Sequence, residues 1–238
     1  MRLSSRAASL LAVAAALPLA LTACSSGSSD SSDTGSSAST KSAKAKDPNA
    51  GLVTGTQLKK ALAPASEFPA GFTLQADNSA DSGSQFLDPE ARSTAKTDCT
   101  RLLGTSWIQA TGYKGGVSFA QNDYAVKDQT QDLAQEIDEF QGTTATAVMK
   151  EFASVATACA AFTDSDTHAT VKTTGKSSAG LGDDAYTLTL TSGAWQNGTT
   201  LIAARSGSAV VTVMSTAGSD NGAASAKKLT TTVLSRLK

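Results

Sequence analysis

The feature that most constrains this chain is its first 24 residues, because they set where folding takes place and how many cysteines are left to the fold. Arg2 and Arg6 give a positive start, and an apolar run from Ala7 to Leu21 follows, interrupted only by small residues and Pro18. That run is short and alanine-rich for a bilayer span, and its charge layout is that of an export signal. It closes on Leu21-Thr22-Ala23-Cys24, and a Ser/Gly tract begins immediately after.

Leu21-Thr22-Ala23-Cys24 resembles the bacterial lipobox. Small residues at 22 and 23 fit a narrow peptidase groove, Leu21 fills an apolar subsite, and the Cys24 thiolate can attack a lipid donor. The alternative is ordinary secretory cleavage that leaves Cys24 unmodified. With Cys24 as the lipid attachment residue, two acyl chains hold the mature protein to the outer face of a cell membrane. Each buried methylene contributes about 0.8 kcal/mol, and two chains anchor stably where one does not. Residues 1–23 are then the signal peptide, and the membrane is a partner only through the anchor.

Three cysteines would be an odd number for an exported protein. Assigning Cys24 to lipid leaves Cys99 and Cys159, which in an oxidising compartment read as a disulfide. Two buried free thiols are the other possibility. Losing the signal peptide removes Arg2 and Arg6 and no acidic residue, taking the formal charge from −1 to −3. A weakly acidic chain with no basic stripe argues against nucleic acid, which demands a basic face.

Residues 24–51 hold the lipidated Cys24 and a linker. From Ser25 to Asn49 the linker has, Pro48 apart, no apolar side chain larger than Ala, so it cannot bury a core. Such a coil spans roughly 30 Å. Its Lys41, Lys44 and Lys46 either touch anionic lipid or wall polymer or are simply solvated. Residues 52–238 contain no second low-complexity break and read as one domain, large enough to bury about 70% of its unfolded surface.

Within that domain Thr54 to Ala63 predicts a helix, with Thr54 as N-cap, Leu58 and Leu62 on one face, and Pro64 and Pro69 beyond it. Asp88-Pro89-Glu90 predicts a second helix running through Cys99 to Gly104. Val117 to Tyr124 predicts a strand. Thr130 to Phe140 fits either period, since Leu133, Ile137 and Phe140 have helical spacing between strand-like neighbours. Thr143 to Phe162 predicts the clearest helix, with Val148, Phe152, Val155, Cys159 and Phe162 as its stripe. Tyr186 to Trp195 and Thr199 to Arg205 predict strands flanking the hairpin signal Asn197-Gly198. Ser206-Gly207-Ser208 turns into the strand Ala209 to Ser215, and Asp220 caps a last helix bearing Leu229, Val233 and Leu237. The fold class is therefore α+β: an antiparallel sheet with a C-terminal β-meander, packed against several helices and closed by one disulfide.

No catalytic constellation emerges, and the chain reads as non-enzymatic with no cofactor. His168 is the single histidine, and no nucleophile elbow accompanies it. Asp164, Asp166 and His168 are a thin set for a metal and read as a solvated loop. Asp183 and Asp184 form either paired carboxylates or the turn before a strand. Asn197-Gly198-Thr199 matches a glycosylation sequon and reads as a hairpin turn. Trp107, Tyr113, Tyr186 and Trp195 are the candidates to line a ligand site, the other reading being core packing.

Several of these segments together resemble the extracellular PknH-like sensor domains of actinobacterial receptor kinases and related free lipoproteins. They are Thr54, Gln57 and Leu58 at the first helix, Cys99 ahead of an aromatic strand, and E-I-D-E-F-Q-G before the Cys159 helix. G-L-G-D-D-A-Y and S-G-S-A-V-V-T-V complete the pattern. The resemblance implies that Thr130 to Phe140 is a strand. It also implies a sensor or ligand-binding lipoprotein at the cell envelope, taking an apolar or cell-wall-derived ligand in a cleft. The kinase-borne members carry two disulfides, whereas this chain has cysteines for one, and it has no kinase domain. The alternative is a structural or interaction lipoprotein that contacts wall polymer or an envelope protein partner without a small ligand.

Overall fold

The computed structural model describes residues 46–238. The lipid-attachment assignment at Cys24 and nearly all of the linker lie outside the described residues. Three α-helices, α1 (Gly55–Ala61), α2 (Thr144–Ala158) and α3 (Ala223–Arg236), surround one antiparallel sheet of nine strands. The strands are β1 (Phe72–Leu74), β2 (Ala80–Asp81), β3 (Ser118–Val126), β4 (Asp132–Glu139), β5 (Ala161–Thr163), β6 (Thr170–Ser177), β7 (Asp184–Ser192), β8 (Thr199–Ser206) and β9 (Ala209–Ser215). Their order is β1-β3-β4-β9-β8-β7-β6-β5, with β2 also paired to β3. The fold is α+β, as its sequence pattern predicts.

Chain direction explains this order. After β4 the chain crosses one face as α2, and the meander β5 to β9 then walks back across the sheet until β9 pairs with β4. The sheet is thus covered on both faces. On one, Leu58, Leu133, Ile137, Val211, Val213, Leu229 and Val233 pack beneath α1 and α3. On the other, Trp107, Val148, Phe152, Val155, Leu188, Leu190 and Leu201 pack beneath α2. Two buried faces account for the uninterrupted apolar runs Leu201 to Ala204 and Ala209 to Val211.

Local signals act where the sequence places them. Gln57 Oε1 accepts from the Thr54 backbone N–H at 2.9 Å, and Leu58 and Leu62 are buried. At the other end Asp220 accepts from the backbone N–H of Gly222 and Ala224, which starts α3. Gly207, at φ 61°, occupies the first central position of the two-residue turn between Ser206 and Ala209, where glycine alone is unstrained. Cys99 and Cys159 form a disulfide with their Cα atoms 5.4 Å apart.

Three expectations are corrected. Residues 88–98 form no helix, and the only helical turn there is the short 3₁₀ segment Cys99–Leu103, capped by Asp98 rather than Asp88. The stretch is exposed and has no apolar face to bury, so nothing offsets helix nucleation. The Cys159 helix ends at Ala158, and Phe162 lies in β5 opposite Val171. Position 162 suits a helical stripe and a strand equally, and the partner strand decides. Finally, Asn197-Gly198 is not a two-residue hairpin turn. Leu190 pairs with Thr199, Trp195 lies in the connecting loop, and Gly198 is small because a Cβ there would stand 2.4 Å from the Leu190 carbonyl oxygen.

Candidate functional site

The segment with two possible periods is the centre of the site. β4 pairs with β3 on one side and β9 on the other, and all eight of its residues are buried. Strand alternation sends Leu133, Gln135, Ile137 and Glu139 to the α1/α3 face and Asp132, Ala134, Glu136 and Asp138 to the α2 face. The register extends this second row. Gln121 of β3 and Thr212 of β9 flank Glu136, while Asp123 stands opposite Ala134, diagonal to Asp132.

The two faces treat their polar groups differently. On the α1/α3 face Gln135 is satisfied, accepting from the Ala63 N–H at 2.9 Å and donating to the Ala63 carbonyl and Asn122 Oδ1. Glu139 accepts from the Ser208 hydroxyl. On the α2 face Asp138 accepts from the Gly116 N–H at 2.8 Å. Asp123, by contrast, is 3% exposed, and neither carboxylate oxygen has a hydrogen-bond partner. The Thr212 hydroxyl and Gln121 Oε1 are likewise buried without a partner. Burial, and secondly the charge of Asp132, pushes the Asp123 carboxyl up to about 7. Burial also raises Asp132.

At its Asp132 end this row meets a cavity of about 310 Å³. The β3–β4 hairpin contributes Gln129 and Gln131, the β5–β6 hairpin contributes Asp164 and Asp166, and the β7–β8 loop contributes Trp195. Asp164 shapes its hairpin, accepting from the Asp166 N–H at 3.0 Å and the Thr167 hydroxyl at 2.7 Å. Burial opposes its charge, but these hydrogen bonds outweigh it and hold the carboxyl below its usual range. Asp166 is exposed. A second, wider recess of about 850 Å³ shares Asp164 and Asp166 and adds Asp98 and Arg101.

The four aromatic candidates do not converge on one pocket. All belong to or pack on the core beneath α2, and only Trp195 borders the acidic cavity. Trp107 is 1% exposed, with its ring centroid 5.1 Å from that of Phe152. Tyr113 stands edge-on to Phe140 beneath the Arg92 guanidinium and lines a separate cavity of about 330 Å³. Tyr186 is half-buried beside Gly175. Asp183 and Asp184 serve the fold, since both bind Arg205 and Asp183 also accepts from the Gly207 N–H. His168 is exposed, in a left-handed turn at φ 55°.

Of the residues that border this cavity, the sequence singled out Trp195 as a ligand-site candidate and Asp164 and Asp166 as a loop, and it passed over Asp132 together with Asp123, Glu136 and Asp138 of the same row. The available signal was the period of D-L-A-Q-E-I-D-E: read with a period of two, it places three carboxylates on one face. No family model matches this chain, and no curated protein is found to be similar to it. No helix among the described residues is long and apolar enough to cross a membrane.

Proposed function

We propose that this protein is a membrane-anchored extracellular lipoprotein whose folded domain binds a ligand, as a sensor or carrier, without catalysing a reaction. One observation carries the ligand-binding part: the cavity at Trp195 is lined by Asp132, the end residue of a row of polar groups buried on the α2 face, and deeper in that row Asp123 has no hydrogen-bond partner. A domain shaped only for stability gains nothing from an unpaired carboxylate, whose desolvation opposes folding. Such pre-formed cavities with a few convergent polar groups are the usual form of small-ligand sites.

The anchor and location rest on the Leu21 to Cys24 segment and on the length of the linker. The Cys99–Cys159 disulfide is in keeping with an oxidising compartment, and the PknH-like resemblance supports the sensor reading. Two measurements test the proposal. Mass spectrometry of the mature N-terminus should find an acyl adduct on Cys24, and its absence would remove the anchor. Thermal-shift screening of the exported chain with Cys24→Ser, against envelope lipids, wall fragments and small charged metabolites, should find a stabilising class. A flat response to every class would end the ligand-binding reading.

A further inference from the structure

We propose that the cavity beside Trp195 binds a neutral sugar, one pyranose unit lying against the indole with its hydroxyls bonded to Asp132 and to the side-chain amides around it. This rests on the ligand-binding reading above and narrows its ligand from an apolar or wall-derived molecule to an uncharged carbohydrate.

The chemistry of the lining selects the ligand class. The described lining residues are one tryptophan, four side-chain amides (Gln129, Gln131, Gln196 and Asn197), four threonines and three aspartates. Among them there is no Leu, Ile, Val or Met and no Lys, Arg or His. An acyl chain finds no apolar trough there, and an anion finds no counter-charge. A sugar finds both surfaces that it needs. Its ring has an apolar C–H face, which a large flat indole can cover. Its rim carries hydroxyls that both donate and accept, as amides and threonine hydroxyls do. Trp195 is half-buried: it packs on the core beneath α2 and also borders the cavity, so the ring is held in place before a ligand arrives.

Asp132 is a second and independent observation. It is 9% exposed and lines the cavity, yet its carboxylate accepts no hydrogen bond from any described residue. Its backbone is engaged, donating to Thr216 Oγ1 at 2.7 Å and accepting from the Thr216 N–H at 3.0 Å. The side chain is therefore a fixed, largely desolvated acceptor, and neighbouring sugar hydroxyls supply the donors that it lacks. The aspartates do not act together as a cation site. Asp164 is committed to its own hairpin, accepting from the Asp166 N–H and the Thr167 hydroxyl. Among the described residues no three metal-ligating side chains stand close enough to hold an ion. Their shared negative charge instead turns acids away, so uronic acids and phosphorylated sugars are rejected. The walls are also ordered in advance. Asp128 Oδ1 accepts from the Thr130 N–H and hydroxyl in the β3–β4 hairpin, as Asp164 does in the β5–β6 hairpin, so little ordering opposes binding.

The test titrates the exported chain, Cys24→Ser, with neutral oligosaccharides ending in glucose, galactose, mannose, xylose or N-acetylglucosamine. Glucuronic acid and spermidine serve as charged controls. Calorimetry should show saturable binding of at least one neutral sugar, with a change in tryptophan fluorescence that Trp195→Ala removes while weakening binding by about tenfold. Asp132→Asn should weaken it by about tenfold, the loss of a hydrogen bond to a charged group. Gln196→Ala, at an exposed position where folding is not at risk, should weaken it by about fivefold. Displacement of the bound sugar by purified wall polysaccharide would place its source in the wall, and displacement by free monosaccharide alone would place it in solution. Sugar binding that none of the three variants changes, or glucuronic acid binding as tightly as the neutral sugars, would overturn the proposal. If no neutral sugar binds while a lipid or a charged metabolite stabilises the protein, the sugar assignment falls and the binding reading survives. If no probe of any class acts, both fall.

Discussion

Replacing Asp123 by asparagine keeps the shape of the side chain and removes its charge, so it isolates the cost of the unpaired carboxylate. In the folded protein this group titrates near pH 7, against an ordinary value of 3.8. A gap of about three pH units, at about 1.4 kcal/mol each, corresponds to about 4 kcal/mol. The sign follows from where the proton resides. Between about pH 4 and pH 7 the folded state keeps a proton that the unfolded chain has released, so stability falls as pH rises through this window and levels off above it. A neutral amide carries no such penalty. Asp123→Asn should therefore be more stable than the parent at pH 8, by up to about 4 kcal/mol, with the gap closing as pH falls towards 4. Asp132 and Glu139, also raised by burial, leave a weaker slope of the same sign in the variant. Urea unfolding followed by circular dichroism from pH 4 to pH 8, with the disulfide intact, measures this directly. Parallel stability curves for variant and parent, or a variant less stable at pH 8, would refute the idea that Asp123 is ionised at a cost.

Further outcomes follow from the scaffold. The disulfide closes a loop with a sequence separation of 60, so Cys99→Ala with Cys159→Ala should cost about 4 kcal/mol, read as a lower denaturant midpoint that reductant no longer shifts. Asp220→Ala removes the acceptor for two N–H groups at the start of α3 and should cost about 1 kcal/mol in the same assay. Gly116→Ala would set a Cβ 2.2 Å from the Glu139 carbonyl oxygen. It should destabilise by roughly 3 kcal/mol and disturb the Gly116 bond to Asp138, visible as faster amide exchange along β4.

What the sequence determined by itself was local. The apolar stripe of α2, the Asp220 start of α3 and the Ser206-Gly207-Ser208 turn depend on neighbours within a few residues, and so their residue types alone specify them. The pairing of Cys99 with Cys159 followed from counting, once Cys24 was set aside. The tertiary structure decided the rest. β4 is built largely from helix formers, and it is a strand because β3 and β9, the latter some 77 residues away along the chain, hydrogen-bond to both its edges. Residues 88–98 carry a helix start but lack an apolar face to bury. The acidic row was hidden for the same reason as β4: until the period of Asp132 to Glu139 is known, its carboxylates belong to no common face. Burial of charge depends on what the whole chain packs around it, and no window of sequence contains that information.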